Sequence, residues 1–264
     1  MRVAALQSPS SPGDWQRNAE IVRRAANSAA ASGVQLLVTP ELFLSSYRPA
    51  QIANDPGQDQ RKMLAEIAAE AGVHLVASTV EAEGEDRYIS ASLFSDTGEE
   101  ITRYRKQHMF GDAELAVFTP GTVDPQIIEV LGWKVALGIC FDVEFPEFVR
   151  QTALDGAELL LIPTAVPLRP DVAGQPHALD TRMLSTLVVP CRAYESQIFI
   201  VYSNHSGPGF SGLSTIADPF GQRLATAQDD EQVLLAELDR SRLALARESV
   251  DYLEIARAVH PTRR

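Results

Sequence analysis

A short apolar run typical of a buried β-strand, residues 133–139, passes directly into a helical pattern that begins near Glu144. Cys140 lies at this junction, within the stretch Gly138-Ile139-Cys140-Phe141-Asp142. A residue at such a junction lies at the rim of a sheet, near the positive end of the following helix. We therefore expect the thiol of Cys140 to be exposed there, in a setting that favours a reactive cysteine over a packing one.

Two further residues with useful chemistry also follow strand-like runs. Glu41 comes shortly after the apolar run 34–38, and Lys106 follows the alternating run 100–104. Functional sites in α/β proteins form at the carboxyl ends of strands, so a carboxylate, an ammonium and a thiol are expected to meet there. Only three of the 23 lysines and arginines are lysines, and one of them stands beside Arg105. This choice indicates that position 106 needs a compact ammonium.

These three residue types together can attack a carbonyl or nitrile carbon. A free thiol has a pKa of about 8.5, so little thiolate exists at neutral pH without help. A carboxylate within hydrogen-bond reach can act as its general base. A nearby ammonium favours the thiolate and stabilises the oxyanion that forms during attack.

The chain resembles the nitrilase superfamily, the carbon–nitrogen hydrolases, over nearly all of its length, from Val3 to about Leu238. The motifs that carry the resemblance are, in order, Pro40-Glu41, Tyr104-Arg105-Lys106, Glu114 to Gly121, Gly138-Ile139-Cys140-Phe141-Asp142, Arg192-Ala193-Tyr194-Glu195 and Gly212 to Gly221. Each motif alone is weak, but six in the family's order form a specific signature.

The resemblance implies a catalytic set and a fold. Glu41 would be the general base, Cys140 the nucleophile, and Lys106 the oxyanion donor together with the backbone N–H of Phe141. Glu114 would orient Lys106. The early alternation of strands with helices and the later hairpins indicate mixed sheets, and the family's fold is an αββα sandwich of two mixed β-sheets with outer helices. The resemblance also implies a homodimer or a higher homo-oligomer, with the C-terminal tail expected to pack on a neighbouring subunit.

Composition restricts the remaining possibilities. The chain of 264 residues shows no linker-like change in composition, so we expect one domain over residues 1–264. A net charge of −12 argues against nucleic-acid and membrane partners. The sequence starts with a strand-like pattern rather than a signal peptide, and two cysteines suggest no disulfide framework. We expect a cytoplasmic enzyme, in which Cys191 packs in the core.

The function expected from this reading is cysteine-dependent hydrolysis of a small aliphatic amide to an acid and ammonia through a thioester, with no metal or cofactor. An N-carbamoyl-amine hydrolase or a nitrilase of the same superfamily is the alternative. A catalytically silent ligand-binding or scaffold member is a second class. A Cys–His protease would need His108, the only histidine near the set.

Glu144 and Phe141 are the candidate substrate-binding residues. Relatives that recognise acidic substrates often carry an arginine just after the nucleophile motif, whereas this chain has Val143-Glu144-Phe145. An acidic pocket mouth would repel carboxylates and accept neutral or cationic amides. Equally, Glu144 can serve only as a negative charge at the start of a helix.

Overall fold

Two six-stranded β-sheets form the centre of the protein, seen in a computed structural model that describes residues 1–169 and 179–259. The strands are β1 (Arg2–Gln7), β2 (Leu36–Val38), β3 (His74–Glu83), β4 (Asp86–Phe94), β5 (Glu100–Arg105), β6 (Ile128–Val130), β7 (Trp133–Leu137), β8 (Leu159–Thr164), β9 (Phe199–Asn204), β10 (Thr215–Ala217), β11 (Arg223–Thr226) and β12 (Gln232–Glu237).

Helices connect and cover these strands. They are α1 (Trp15–Ala31), α2 (Pro49–Ile52), α3 (Gly57–Ala71), α4 (Gly111–Leu115), α5 (Pro146–Leu154), α6 (Val189–Ser196), α7 (Ser241–Ser249) and α8 (Tyr252–Val259). At the start of the longest helix, α1, the side chain of Asp14 accepts a hydrogen bond from the backbone N–H of Arg17 and caps the first turn. Among the described residues, no helix is both long and apolar enough to span a bilayer.

Both sheets are mixed, with a parallel centre. The first sheet has the order β12-β1-β2-β3-β4-β5, and the second has the order β11-β10-β9-β8-β7-β6. Strands β1, β2 and β3 run parallel, as do β7, β8 and β9, while the other strands pair antiparallel on either side of them. The carboxyl ends of the parallel strands therefore share one edge in each sheet, which is where side chains of a site can converge.

Apolar side chains fill two layers. One buried cluster combines residues of both sheets, such as Val38 of β2 with Leu160 of β8 and Val201 of β9. A second lies between the first sheet and its covering helices, where Val22 and Leu64 are buried. The predicted αββα sandwich of two mixed sheets with outer helices is confirmed, and burial of both sheet faces is its main source of stability.

The described part of the C-terminal tail contains the short helix α8. Up to residue 259 the tail packs on its own chain, since Leu253 is buried, the Tyr252 hydroxyl lies 3.1 Å from that of Tyr194, and Arg257 donates to the carbonyl of Leu154. Packing of α8 on a neighbouring subunit stays a prediction, and its exposed Ile255 and Val259 leave a face free for it. Residues 260–264 lie outside the described part of the chain.

Candidate active site

The side chains of Glu41, Lys106 and Cys140 meet between the two sheets, just beyond the ends of β2, β5 and β7. The ammonium nitrogen of Lys106 lies 2.8 Å from Oε1 of Glu41, and both side chains are fully buried. Cys140 lies close enough to form a hydrogen bond with Glu41 and to interact with the charge of Lys106. The thiol is buried rather than exposed at the rim, so that part of the sequence prediction is wrong.

The backbone around Cys140 makes a tight turn. A 3₁₀-helix from Cys140 to Glu144 precedes α5, and Cys140 itself has a φ of 47°. At Gly138 an added Cβ would come within 2.8 Å of the Ile162 side chain and 2.9 Å of the Phe148 ring, so only glycine allows this approach. The chain is thus closely packed just before the nucleophile.

Lys106 is held between two carboxylates. Oε1 of Glu114 also lies 2.8 Å from the ammonium nitrogen, opposite Glu41, and it too is fully buried. Burial alone would lower the pKa of Lys106, but the charges of Glu41, Cys140 and Glu114 outweigh it and raise that pKa above its usual range. The side chain is therefore a buried ammonium that is charged at neutral pH.

Glu41 has the proton affinity of a neutral-pH base. Burial raises its pKa to about 7, against the opposing effects of the Lys106 charge and of hydrogen bonds from Lys106 and Cys140. Its Oε2 atom accepts no hydrogen bond from the described residues. A carboxylate with this pKa both takes and returns a proton readily near pH 7.

The thiol of Cys140 rests in its protonated form. Burial and the neighbouring Glu41 charge raise the pKa of Cys140 well above its usual range, although Lys106 and a hydrogen bond from the backbone of Ala165 act in the opposite direction. The ammonium favours the thiolate as the sequence predicted, but burial outweighs it. Proton transfer to Glu41 must therefore accompany the attack of sulfur on its target.

Glu114, the fourth predicted residue, is fixed by three donors. Its Oε1 accepts from Lys106 and, at 2.6 Å, from the hydroxyl of Tyr47, while Oε2 accepts from the backbone N–H of Phe110 at 2.7 Å. Sequence reasoning missed Tyr47. The available signal was its place six residues after Glu41, in the same loop.

His205, which sequence reasoning also missed, holds the backbone of Glu41. Its Nε2 lies 2.7 Å from the backbone carbonyl of Glu41, whose N–H donates to the carbonyl of Thr164 at 3.1 Å. Burial lowers the pKa of His205 to about 4, so the neutral ring donates its Nε2 proton. Rings of Phe43 and Phe210 pack on the imidazole. Glu41 is thereby anchored to strands of the second sheet.

The two candidate substrate-binding residues lie beside this cluster. The ring of Phe141 makes edge-to-face contacts with Phe110 and Phe145. Glu144 is partly buried, and burial raises its pKa to about 7 despite the charges of Arg169, Lys106 and Arg192 nearby.

Two further predictions concern residues outside the set. Cys191 is exposed, so its expected role in core packing is wrong. Cys191 lies on α6, and the helical pattern of the sequence does not by itself show which face of this helix is exposed. Nδ1 of His108 lies 2.8 Å from the carboxylate of Asp142, so the ring is held by that carboxylate, which leaves the protease alternative without support.

Known proteins share both this sequence and this structure. A family model described as carbon-nitrogen hydrolase matches residues 2–248. The crystal structure of an amidase from Nesterenkonia sp. is similar with a TM-score of 0.87 and 35% identity, covering 98% of this chain and 94% of that chain. A mutant of the amidase from Nesterenkonia sp. AN1, with the same TM-score of 0.87, identity of 35% and coverage of 98% and 94%, shows covalent addition of the acetamide moiety of fluoroacetamide at its active-site cysteine.

Sequence similarity extends to a further enzyme of this kind. The 2-oxoglutaramate amidase of Bacillus subtilis is 31% identical over 81% of this chain and 82% of its own length. The motifs around Glu41, Lys106 and Cys140 all lie inside the matched region of the family model. The chain therefore belongs to the carbon–nitrogen hydrolase family, the nitrilase superfamily.

Proposed function

We propose that this protein is a cysteine-dependent amidase that hydrolyses a small aliphatic amide to an acid and ammonia through a thioester. The observation that carries the proposal is the buried cluster in which Lys106 bridges Glu41 and Glu114 beside the thiol of Cys140. Support also comes from the similar amidase whose active-site cysteine takes up the acetamide moiety of fluoroacetamide.

Acylation uses all three members of the cluster. The sulfur of Cys140 bonds to the amide carbon while its proton passes to Glu41. The carbonyl oxygen becomes an oxyanion that accepts hydrogen bonds from the Lys106 ammonium and from the backbone N–H of Phe141. When the carbon–nitrogen bond breaks, Glu41 gives its proton to the departing nitrogen, and ammonia leaves behind a thioester.

Deacylation repeats the same steps with water. Glu41 takes a proton from a water molecule as its oxygen attacks the thioester carbon, and Lys106 again holds the oxyanion. The carbon–sulfur bond then breaks, the acid leaves, and the proton returns from Glu41 to the sulfur of Cys140. A pKa of about 7 for Glu41 suits it to both halves of the cycle.

Glu114 acts by holding its neighbours. Glu114 accepts hydrogen bonds from Lys106, Tyr47 and the backbone of Phe110, so it fixes the ammonium where the oxyanion forms. A free lysine side chain would lose rotamer entropy when it stabilised that charge, whereas this one is already immobilised.

The proposal is tested by measuring ammonia release from a panel of aliphatic amides, nitriles and N-carbamoyl compounds. We expect turnover of short amides and an acyl adduct on Cys140 that intact-mass measurement detects. Preferred turnover of nitriles or of N-carbamoyl amines would replace the amidase assignment with one of those activities. Absence of both turnover and adduct across the panel would indicate a catalytically silent member.

The partly buried carboxylate of Glu144 is proposed to set the preferred substrate charge. We expect neutral or ω-amino amides to exceed ω-carboxylate amides of equal length by about tenfold or more in kcat/KM, since a like-charge contact costs several kcal/mol. With a pKa of about 7, Glu144 becomes fully charged above neutrality, so the discrimination should be larger at pH 8 than at pH 6. Competition assays at both pH values measure it.

A Glu144→Arg variant should narrow or invert this preference without loss of Cys140 acylation. Glu147→Arg is the matched control, because the same charge change falls on an exposed residue at the start of α5. The rival preference, for a carboxylate-bearing amide such as 2-oxoglutaramate, is favoured by the guanidinium of Arg169 near Glu144. Equal kcat/KM for neutral and ω-carboxylate amides would remove the selecting role of Glu144.

We also propose that two copies of the chain form a homodimer through one helix face. This face lies on α6 and on the helical turn before it, Leu184–Val188. It carries, at helical spacing, the exposed side chains of Met183, Leu187, Cys191 and Tyr194. An isologous contact would let each copy bury the other's apolar stripe, which is favourable even for a chain with a net charge of −12.

A reducing compartment such as the cytoplasm is proposed because both cysteines are free.

Sedimentation at micromolar concentration should give the mass of at least a dimer. Leu187→Glu places a charge in the stripe and should shift the species to monomer, since an unpaired buried charge opposes association. Val123→Glu, at another exposed apolar residue, is the control and should leave the mass unchanged. A monomeric parent protein would contradict the proposal.

A further inference from the structure

One buried carboxylate outside the catalytic set collects four hydrogen bonds. Oδ1 of Asp142 accepts from the backbone N–H of His108 at 3.0 Å and from its Nδ1 at 2.8 Å. Oδ2 accepts from the hydroxyl of Tyr104 and the backbone N–H of Ile139, both at 2.9 Å. A charge this deeply buried is tolerated because its lone pairs are satisfied.

These contacts connect the two segments that carry the oxyanion donor and the nucleophile. Tyr104 and His108 stand two residues before and two residues after Lys106. Ile139 and Asp142 stand one residue before and two residues after Cys140. The first segment continues β5 of one sheet and the second continues β7 of the other, so Asp142 ties the sheets together at the reacting atoms.

The imidazole of His108 is held in one orientation. Its ring stacks on that of Phe145 with centroids 4.0 Å apart and meets the edge of Phe148 at 5.9 Å. Because the carboxylate of Asp142 only accepts hydrogen bonds, Nδ1 of His108 carries the proton that it donates. The side chain thus acts on the carboxylate, and a short donor at the same position is able to replace it.

We propose that Asp142 is a positioning residue, which with His108 keeps the sulfur of Cys140 in register with the ammonium of Lys106. Rotation of the nucleophile turn relative to the lysine segment would require two or more of these hydrogen bonds to break together. A displacement of about 1 Å between reacting groups costs on the order of 100-fold in rate, so such a clamp bears directly on turnover. The inference rests on the proposed amidase function for its turnover readout only.

The test uses Asp142→Asn. The amide nitrogen of asparagine replaces one carboxylate oxygen and is unable to accept the two hydrogen bonds that this oxygen accepts. We expect kcat to fall by roughly tenfold to 100-fold with a smaller change in KM, because the contact positions groups for the transition state. The rate constant for alkylation of Cys140 by fluoroacetamide should fall alongside kcat. Mass measurement of the alkylated fraction counts the correctly folded sites, so both rates are expressed per intact site.

His108 provides a pair of variants that separates positioning from stability. His108→Asn keeps an N–H near the place of Nδ1 and should retain kcat within about threefold, whereas His108→Ala, with no donor, should lose roughly tenfold. Gln107→Ala is the control, since that neighbouring side chain donates a hydrogen bond to the exposed Asp124 and should leave both rates unchanged.

Normal kcat and normal alkylation per intact site in Asp142→Asn would overturn the proposal, because the carboxylate would then only stabilise the fold. If Asp142→Asn does not fold, equal rates for His108→Asn and His108→Ala would overturn it instead. If the parent chain alkylates at Cys140 but hydrolyses no amide, the proposed function fails while the alkylation rates still decide the role of Asp142.

Discussion

Replacing Cys140 with alanine is expected to abolish amide hydrolysis, with a fall in kcat of at least ~10⁴-fold, while the fold remains intact. The thiol is the only covalent centre in the proposed path, and no other described side chain of the cluster is a comparable nucleophile. Cys140→Ser should be similarly inactive, because a buried hydroxyl ionises far less readily than a thiol. Ammonia release measures activity, and circular dichroism with thermal unfolding verifies the fold.

Cys191→Ala is the matched control for this loss. Cys191 lies exposed on α6, whereas the catalytic side chains are buried, so the variant should keep nearly full activity. The covalent mechanism would be wrong if Cys140→Ala retained more than a trace of turnover.

Exchanging Lys106 for arginine should lower kcat almost as much as exchanging it for alanine, by roughly 10² to 10³-fold in each case. The ammonium occupies a fully buried space between Glu41 and Glu114, 2.8 Å from an oxygen of each. A planar guanidinium is larger and places its protons in a fixed fork, so it fits neither the space nor the oxyanion. Steady-state kinetics per titrated Cys140 site make the comparison.

Lys134→Arg is the corresponding control at an exposed lysine, where the same exchange should be silent. Lys106→Ala also leaves two buried carboxylates without their cation, so its thermal stability should drop as well. A Lys106→Arg enzyme with near-normal kcat would show that only the positive charge matters, and that the point geometry of the ammonium does not.

Local sequence patterns predicted where each catalytic residue stands on its strand. Glu41 and Cys140 follow short apolar runs that became β2 and β7, and Lys106 follows an alternating run that became β5. These patterns do not show that the residues come from different sheets. Packing between sheets depends on contacts distant in sequence, and here only the resemblance to a family supplied the sandwich.

Local sequence patterns did not predict the burial of the catalytic side chains or the residues that hydrogen-bond to them. The exposed thiol expected at Cys140 is buried, and this burial raises its pKa where the charge of Lys106 alone would lower it. Tyr47, Asp142 and His205 each act through a partner distant in the chain, so the local sequence does not reveal their roles even where, as for Asp142, the residue stands in a motif.

At Cys140 the backbone has a positive φ of 47°, which favours glycine, whereas the reaction requires a thiol at this position. A side chain with a Cβ pays roughly 1–2 kcal/mol to occupy this left-handed region, which glycine occupies freely. Glycine at 140 would therefore relax the turn but would remove the nucleophile. A single nucleotide change converts a cysteine codon into a glycine codon, so this inactive form is one mutational step away. Only continued demand for catalysis keeps sulfur in that turn.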